Sequence, residues 1–238
     1  MEKPKRNWRG WLKEYAIIVI GVLTALAAQQ AAEWWQWHSE VAQARTALRA
    51  EMTDNNNRLF IRRIGVAPCL ARQIKEADAI LTALEEKRTP GKFTTFHDGL
   101  GALISDAEWQ SQRASQVLTH FPRDELAVMS RYYATLPDFR VWLGREGDAW
   151  RELSGLQKPL AGLTASDLMR LRVQLTTAKS SLDLINLAVP TALRRSKTLG
   201  LPDAKGEPLV VENFCTMDDE RFQHFMRTRP RAEFLKPN

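Results

Sequence analysis

Signatures of catalysis are what this sequence lacks most conspicuously. It contains no Gly-x-Ser-x-Gly elbow, no Gly-x-x-x-x-Gly-Lys-Ser/Thr phosphate loop and no Gly-x-Gly-x-x-Gly turn. Only four histidines occur, His38, His97, His120 and His224, with no His-x-His or His-Glu-x-x-His spacing. Two cysteines, far apart, complete a poor supply of soft ligands, so neither a metal site nor a cofactor is expected. Glycine (12) and proline (11) are too sparse among 238 residues for a low-complexity or disordered chain. The net charge is +6, but Lys3, Lys5, Arg6, Arg9 and Lys13 supply much of it, against Glu2 and Glu14. Everything downstream carries +3. With no arginine-rich stripe and no stacking motif, nucleic acid is excluded as the expected partner. Long hydrophobic runs are also rare, and there is one.

That run lies in WLKEYAIIVIGVLTALAAQQAAEWWQW, from Trp11 to Trp37. No charge falls between Glu14 and Glu33, an interval of 18 residues. At about 1.5 Å per residue this helix covers roughly 27 Å of a hydrocarbon layer about 30 Å thick. Trp8, Trp11 and Tyr15 flank one edge and Trp34, Trp35 and Trp37 the other, as in the aromatic belts of permanent spans. Ala25-Leu26-Ala27 has the small-x-small form of a signal cleavage site. However, helix-favouring sequence runs on without Gly or Pro to Met52, so the reading is a retained anchor. Five basic residues precede the span, and only Arg45 and Arg49 occur in the twenty residues after Glu33. The positive-inside rule therefore leaves the N-terminus in the cytoplasm and exports the rest.

The residues Glu14, Gly21, Val22, Leu23, Ala25, Leu26 and Trp34, with KEYAIIVI before the glycine, resemble the N-terminal anchor of uncharacterised bacterial single-pass proteins that carry a domain of unknown function. The resemblance covers about the first fifty residues. It implies a single-pass inner-membrane topology, with the C-terminal domain in the periplasm, and no particular activity.

Beyond the anchor the signals are helical. Val41, Ala44, Leu48, Met52 and Leu59 share a face, and Pro68 suits the first turn of a second helix striped by Leu70, Ile74, Ala77, Leu81 and Leu84. TPGKFTTFHDGLG reads as a loop. Ser105 and Glu108 have the spacing of a capping box for a helix through Leu118. Pro122 opens another, Pro137 ends or kinks it, and Thr164 or Ser166 caps a long helix whose end Pro190 bends. A short helix is expected near Asp218 to Met226. The expected fold is all-α, an N-terminal transmembrane helix continuing into an extracytoplasmic bundle. Its divisions are a basic N-terminus (1–14), the anchor with its aromatic exit (15–37), the bundle (38–199) and an irregular C-terminal segment (200–238).

Cys69 and Cys215 both fall on the exported side, where a disulfide between them would close a loop of 146 residues and pin the C-terminal segment. Two buried thiols are the alternative. Glu146/Asp148 and Asp106/Glu108 read as solvated helix faces rather than acid/base pairs, and no residue stands out as catalytic. On the anchor, Gly21, Thr24, Ala25, Ala28 and Ala32 line one side, with Gln29 able to add an interhelical hydrogen bond. Either this is the ordinary composition of a membrane helix, or the stripe docks a second helix, from another membrane protein or from a copy of itself. These features point to a membrane-anchored interaction or accessory protein in contact with the lipid bilayer. The alternative is an envelope enzyme whose site the sequence does not display.

Overall fold

The computed structural model describes residues 8–93 and 104–205. These residues form helices and turns, with no strand among them, so the protein is all-α. Helix α1 runs from Trp8 to Ile61. At about 1.5 Å per residue its 54 residues span roughly 80 Å. A π-turn, Arg62–Val66, carries the chain without interruption into α2, Ala67–Glu85. Then follow α3 (Ala107–Ala114), α4 (Arg123–Tyr133), α5 (Leu136–Leu153) and α6 (Ala165–Thr198).

Two clusters of buried side chains divide the body along its length. The one nearer the anchor joins Leu48, Met52 and Leu59 of α1 to Met129 and Tyr132 of α4, Phe139 of α5, and Ile185 and Val189 of α6. The farther one joins Leu70, Ala77 and Leu81 of α2 to Trp150 and Leu153 of α5, and Leu171, Leu175 and Leu182 of α6. Helix α5 therefore runs alongside α1 and α2 in the same direction, and α6 returns antiparallel across both. The most extensive packing is between α5 and α6.

The apolar stripes expected on the first two helices are the buried faces, with Ile74 and Leu84 at the margin. Pro68 does sit in the first turn of α2, but no loop precedes it. The widened π-turn takes up the extra residue and offsets the buried face of α2 from that of α1. Of the two capping candidates for α6, Thr164 serves, its hydroxyl accepting from the Asp167 amide at 3.2 Å while Asp167 accepts from the Thr164 amide at 3.0 Å.

Other local expectations are corrected. Pro137 occupies the first turn of α5, starting that helix, where its missing N–H removes no bond. Pro190 lies within the last part of α6, as expected, and the helix continues past it to Thr198 with Val189 and Ala192 held in the core. Helix α3 stops at Ala114, and Gln116 at φ 64° turns the chain into a 3-10 turn, Val117–His120. The N-terminus of α3 carries no capping box: Ser105 Oγ accepts from the Ala107 amide at 3.2 Å, and the next two amides are capped from outside. Glu51 of α1 accepts from the amides of Glu108 (3.1 Å) and Trp109 (3.4 Å) and from the Ser105 hydroxyl (2.8 Å). The short helix expected near Asp218 to Met226 lies outside the described residues, as do His97, His224 and Cys215.

Candidate functional site

The anchor segment of α1 is long and apolar enough to cross a membrane, and none of its 18-residue apolar window is buried against the body. Ile17 and Ile18 are 70% and 65% exposed, values a soluble core helix would not tolerate. The same helix supplies Leu48, Met52 and Leu59 to the core, all fully buried. Anchor and body thus share one backbone with no joint between them.

Gly21, Thr24, Ala25, Ala28, Gln29 and Ala32 are all exposed along one side of α1. A Cβ added at Gly21 would meet nothing within 4 Å. The polar members are occupied within the helix: Thr24 Oγ1 donates to the Ile20 carbonyl at 2.8 Å and Gln29 Nε2 to Glu33 Oε1 at 2.9 Å. At 100° per residue this side lies opposite the face that carries Ala44, Leu48 and Met52. It also extends further than the expected stripe. Ser39, Ala42 and Thr46 continue the alternation of three and four residues, and all three are exposed on the outer surface of the body. The positions 21, 25, 28, 32, 39, 42 and 46 are all small, and the same register also takes in Trp35, which is 73% exposed on that side.

Where α1 leaves the span, a pocket of about 350 Å³ opens between it and the turn before α4, lined by Trp34, Trp37, His38, Val41, Arg45, His120 and Pro122. The rings of Trp37 and His120 stack at 3.8 Å, and those of Trp34 and His38 lie 3.9 Å apart. His38 Nδ1 is 3.0 Å from the Trp34 carbonyl oxygen and donates to it. Arg45 is fixed by a bidentate pair with Glu125, Nε to Oε1 at 2.8 Å and Nη2 to Oε2 at 2.9 Å. Its guanidinium lies 5.4 Å from the Phe121 ring centroid. Hydrogen bonding by Glu125 raises the Arg45 pKa further, so this side chain is a fixed cation.

Deep in the body, Glu146 departs from the expected solvated face. It is 2% exposed and paired with Arg62 of the π-turn, itself 1% exposed. Burial pushes the Glu146 carboxyl up, and the Arg62 charge and hydrogen bond oppose that shift. Arg62 Nε and Nη1 and Glu146 Oε1 have no hydrogen-bonding partner among the described residues. The period of α5 announces this burial: Glu146 follows Phe139 by seven residues and precedes Trp150 by four, on one face. Asp106, by contrast, is partly exposed and held by Arg140 at 2.5 Å.

A second groove of about 470 Å³ lies between α2 and α6, with Ile74, Leu175 and Leu182 along its floor and Lys75, Asp78, Lys179 and Asp183 at its rim. Arg172, also at the rim, is bound to Asp78, Thr82 and Glu85 together. Among the described residues no three His, Cys, Asp or Glu side chains gather as a metal site. Cys69 is buried at the start of α2, its Sγ 3.4 Å from the Gly65 carbonyl oxygen, and the expected bond to Cys215 lies outside the described residues. Comparison with known proteins finds no matching family model, no similar curated protein and no similar solved structure.

Proposed function

We propose that this is a single-pass membrane protein whose helical body serves as an interaction or accessory module rather than as an enzyme. In this reading the basic N-terminus stays in the cytoplasm, held by Lys3, Lys5, Arg6, Arg9 and Lys13, and the body is exported into the periplasm of a bacterial envelope. One observation carries the proposal of a partner. Small residues on one side of α1 form a seam that runs from Gly21 to Ala32 and resumes from Ser39 to Thr46, uncovered on either side of the exposed Trp35, while the opposite face of the same helix is consumed by the core. Small side chains allow a second backbone to approach closely in lipid, and a repeat of 3.5 residues suits a left-handed helix pair. The partner helix comes from another membrane protein or from a second copy of this chain. A row of exposed apolar residues on α6, Met169, Val173, Leu184 and Leu187, offers the body a further contact surface.

A photo-crosslinking residue placed at Ala25 and at Ala42 tests the seam in intact membranes. Both positions should give the same crosslinked species, and Leu23, on the other side of the helix, should not. Crosslinking from Leu23 as strong as from Ala25, or none from either seam position, overturns the proposal. Intact-mass measurement of the membrane fraction should find residues up to Ala27 still attached. A mature chain beginning at Ala28 and released by salt would remove the anchor.

A further inference from the structure

We infer that the pocket formed by Trp34, Trp37, His38, Arg45 and His120 binds the phosphodiester headgroup of a bilayer lipid. This rests on the reading of α1 as a membrane anchor. Depth is the first argument. Trp34 through His38 stand about 2–8 Å beyond Glu33 along the helix, and the headgroup layer on each face of a bilayer is roughly 5–8 Å deep. The backbone of Arg45 lies about 18 Å beyond Glu33, outside that layer, and only its side chain, leaning toward the N-terminus, extends back toward the bilayer. The stack of His120 on Trp37 brings the turn before α4 down to the same level.

Chemistry is the second argument. No carboxylate lines the pocket, and its donors are two indole N–H groups, the His120 imidazole and a guanidinium, the His38 Nδ1–H being spent on the Trp34 carbonyl. Glu125 takes Arg45 Nε and Nη2, which fixes the guanidinium and leaves Nη1 outside that pair. Glu125 balances the charge of this guanidinium, so the fit to a phosphodiester, whose oxygens accept only, rests on the convergence of donors. The two indoles match the glycerol and upper acyl carbons that accompany the phosphate, since each ring is apolar except at its N–H. The volume, about 350 Å³, is within the range of small-ligand pockets. The groove between α2 and α6 lacks this complementarity, because Asp78 and Asp183 stand among its cations.

The test is native mass spectrometry of the full chain, delipidated in mild detergent and titrated with dihexanoyl phosphatidylglycerol. One lipid per chain should bind saturably. The double variant His38→Ala/His120→Ala should bind about tenfold more weakly, as expected for a lost hydrogen bond to phosphate. Trp34→Ala, at a side chain 58% exposed and outside the core, should weaken binding without disturbing the fold. Leu23→Ala should bind as the parent does. Variants that bind like the parent overturn the inference, as does displacement of the lipid by equimolar inorganic phosphate, which would mark a site for a free anion. Alkaline carbonate extraction separates the two readings. A parent protein released by carbonate removes the anchor and the lipid site together, whereas one that stays in the membrane without saturable lipid binding removes the lipid site alone.

Discussion

Glu146→Ala is the substitution whose consequence follows most directly from the structure. The carboxylate and its Arg62 partner are almost wholly withdrawn from solvent, 3% and 1% exposed at their side chains. Removing the carboxylate strands a guanidinium that cannot shed its proton, inside a core built from Trp150, Leu153 and their neighbours. Breaking one side of a buried pair costs about 3–5 kcal/mol. For a body of this size that corresponds to a fall in melting temperature of about 6–20 °C. The double variant Arg62→Met/Glu146→Leu should behave differently. The pair is incompletely satisfied, with Arg62 Nε and Nη1 and Glu146 Oε1 unpartnered among the described residues, so much of its Coulombic gain is offset by desolvation. Replacing both with apolar side chains of similar volume should restore parental stability or exceed it by about 1–4 kcal/mol. Urea unfolding of the full chain in mild detergent, followed by circular dichroism and by Trp fluorescence, measures all three proteins. A loss below about 1 kcal/mol for Glu146→Ala would refute the burial of the pair. A double variant clearly less stable than the parent would show that the pair is net stabilising and that the desolvation argument is wrong.

Three further outcomes are expected. Glu51→Ala should destabilise the body by about 1–2 kcal/mol in the same urea assay, because the amides of Glu108 and Trp109 and the Tyr133 hydroxyl (2.9 Å) lose their common acceptor. The guanidinium of Arg140 beside Asp106 holds that carboxyl below its ordinary value, so the pair adds stability above the ordinary carboxylate pKa and loses it as pH falls through the lowered one. In an NMR pH titration, Arg140→Ala should return Asp106 toward about 4 and abolish this part of the acid sensitivity. Cys69 and Cys215 should be found bonded by non-reducing peptide mapping. Both thiols alkylating readily in protein isolated without reductant would exclude the bond and, with it, the roughly 4–5 kcal/mol that closing so long a loop contributes in the chain-entropy model.

What could be read from the sequence follows from how local each cause is. The stripe Leu70, Ala77, Leu81 and the box of Thr164 with Asp167 are set by neighbours within four residues, and both stand in the structure as the periodicity and spacing imply. The cap on α3 was hidden because its acceptor, Glu51, lies more than fifty residues earlier. Ser105 and Glu108 have the right spacing for a local box, yet Ser105 Oγ accepts only from the Ala107 amide while its hydroxyl donates to Glu51, which takes the Glu108 amide itself. Proline is ambiguous for a related reason. Its ring forbids a hydrogen bond but does not say whether a helix starts, stops or bends there. At Pro137 the chain had just turned, and at Pro190 the surrounding core keeps the helix going. Arg62 and Glu146 carried a signal that their chemistry concealed. Each falls on the apolar face of its helix by period, Arg62 between Leu59 and Val66 and Glu146 between Phe139 and Trp150. A charge on such a face has to be paired, and opposite charges on two apolar faces are each other's simplest partners.

The same reasoning connects the π-turn to the anchor. A helix that supplies both an exposed apolar segment and a core element must present one face to the body from Trp37 onward, and α2 must then present its own face to the farther cluster. An unbroken α-helix would keep one face for both. Arg62–Val66 widens the turn at the point where the two clusters meet, and Arg62 leaves that turn to bond Glu146 on α5, which crosses both clusters. The face left over on α1, small from Gly21 to Ala32 and again from Ser39 to Thr46 on either side of the exposed Trp35, is the one that no element of the described body reaches. On the proposal made above, this uncovered side is where a partner helix would dock.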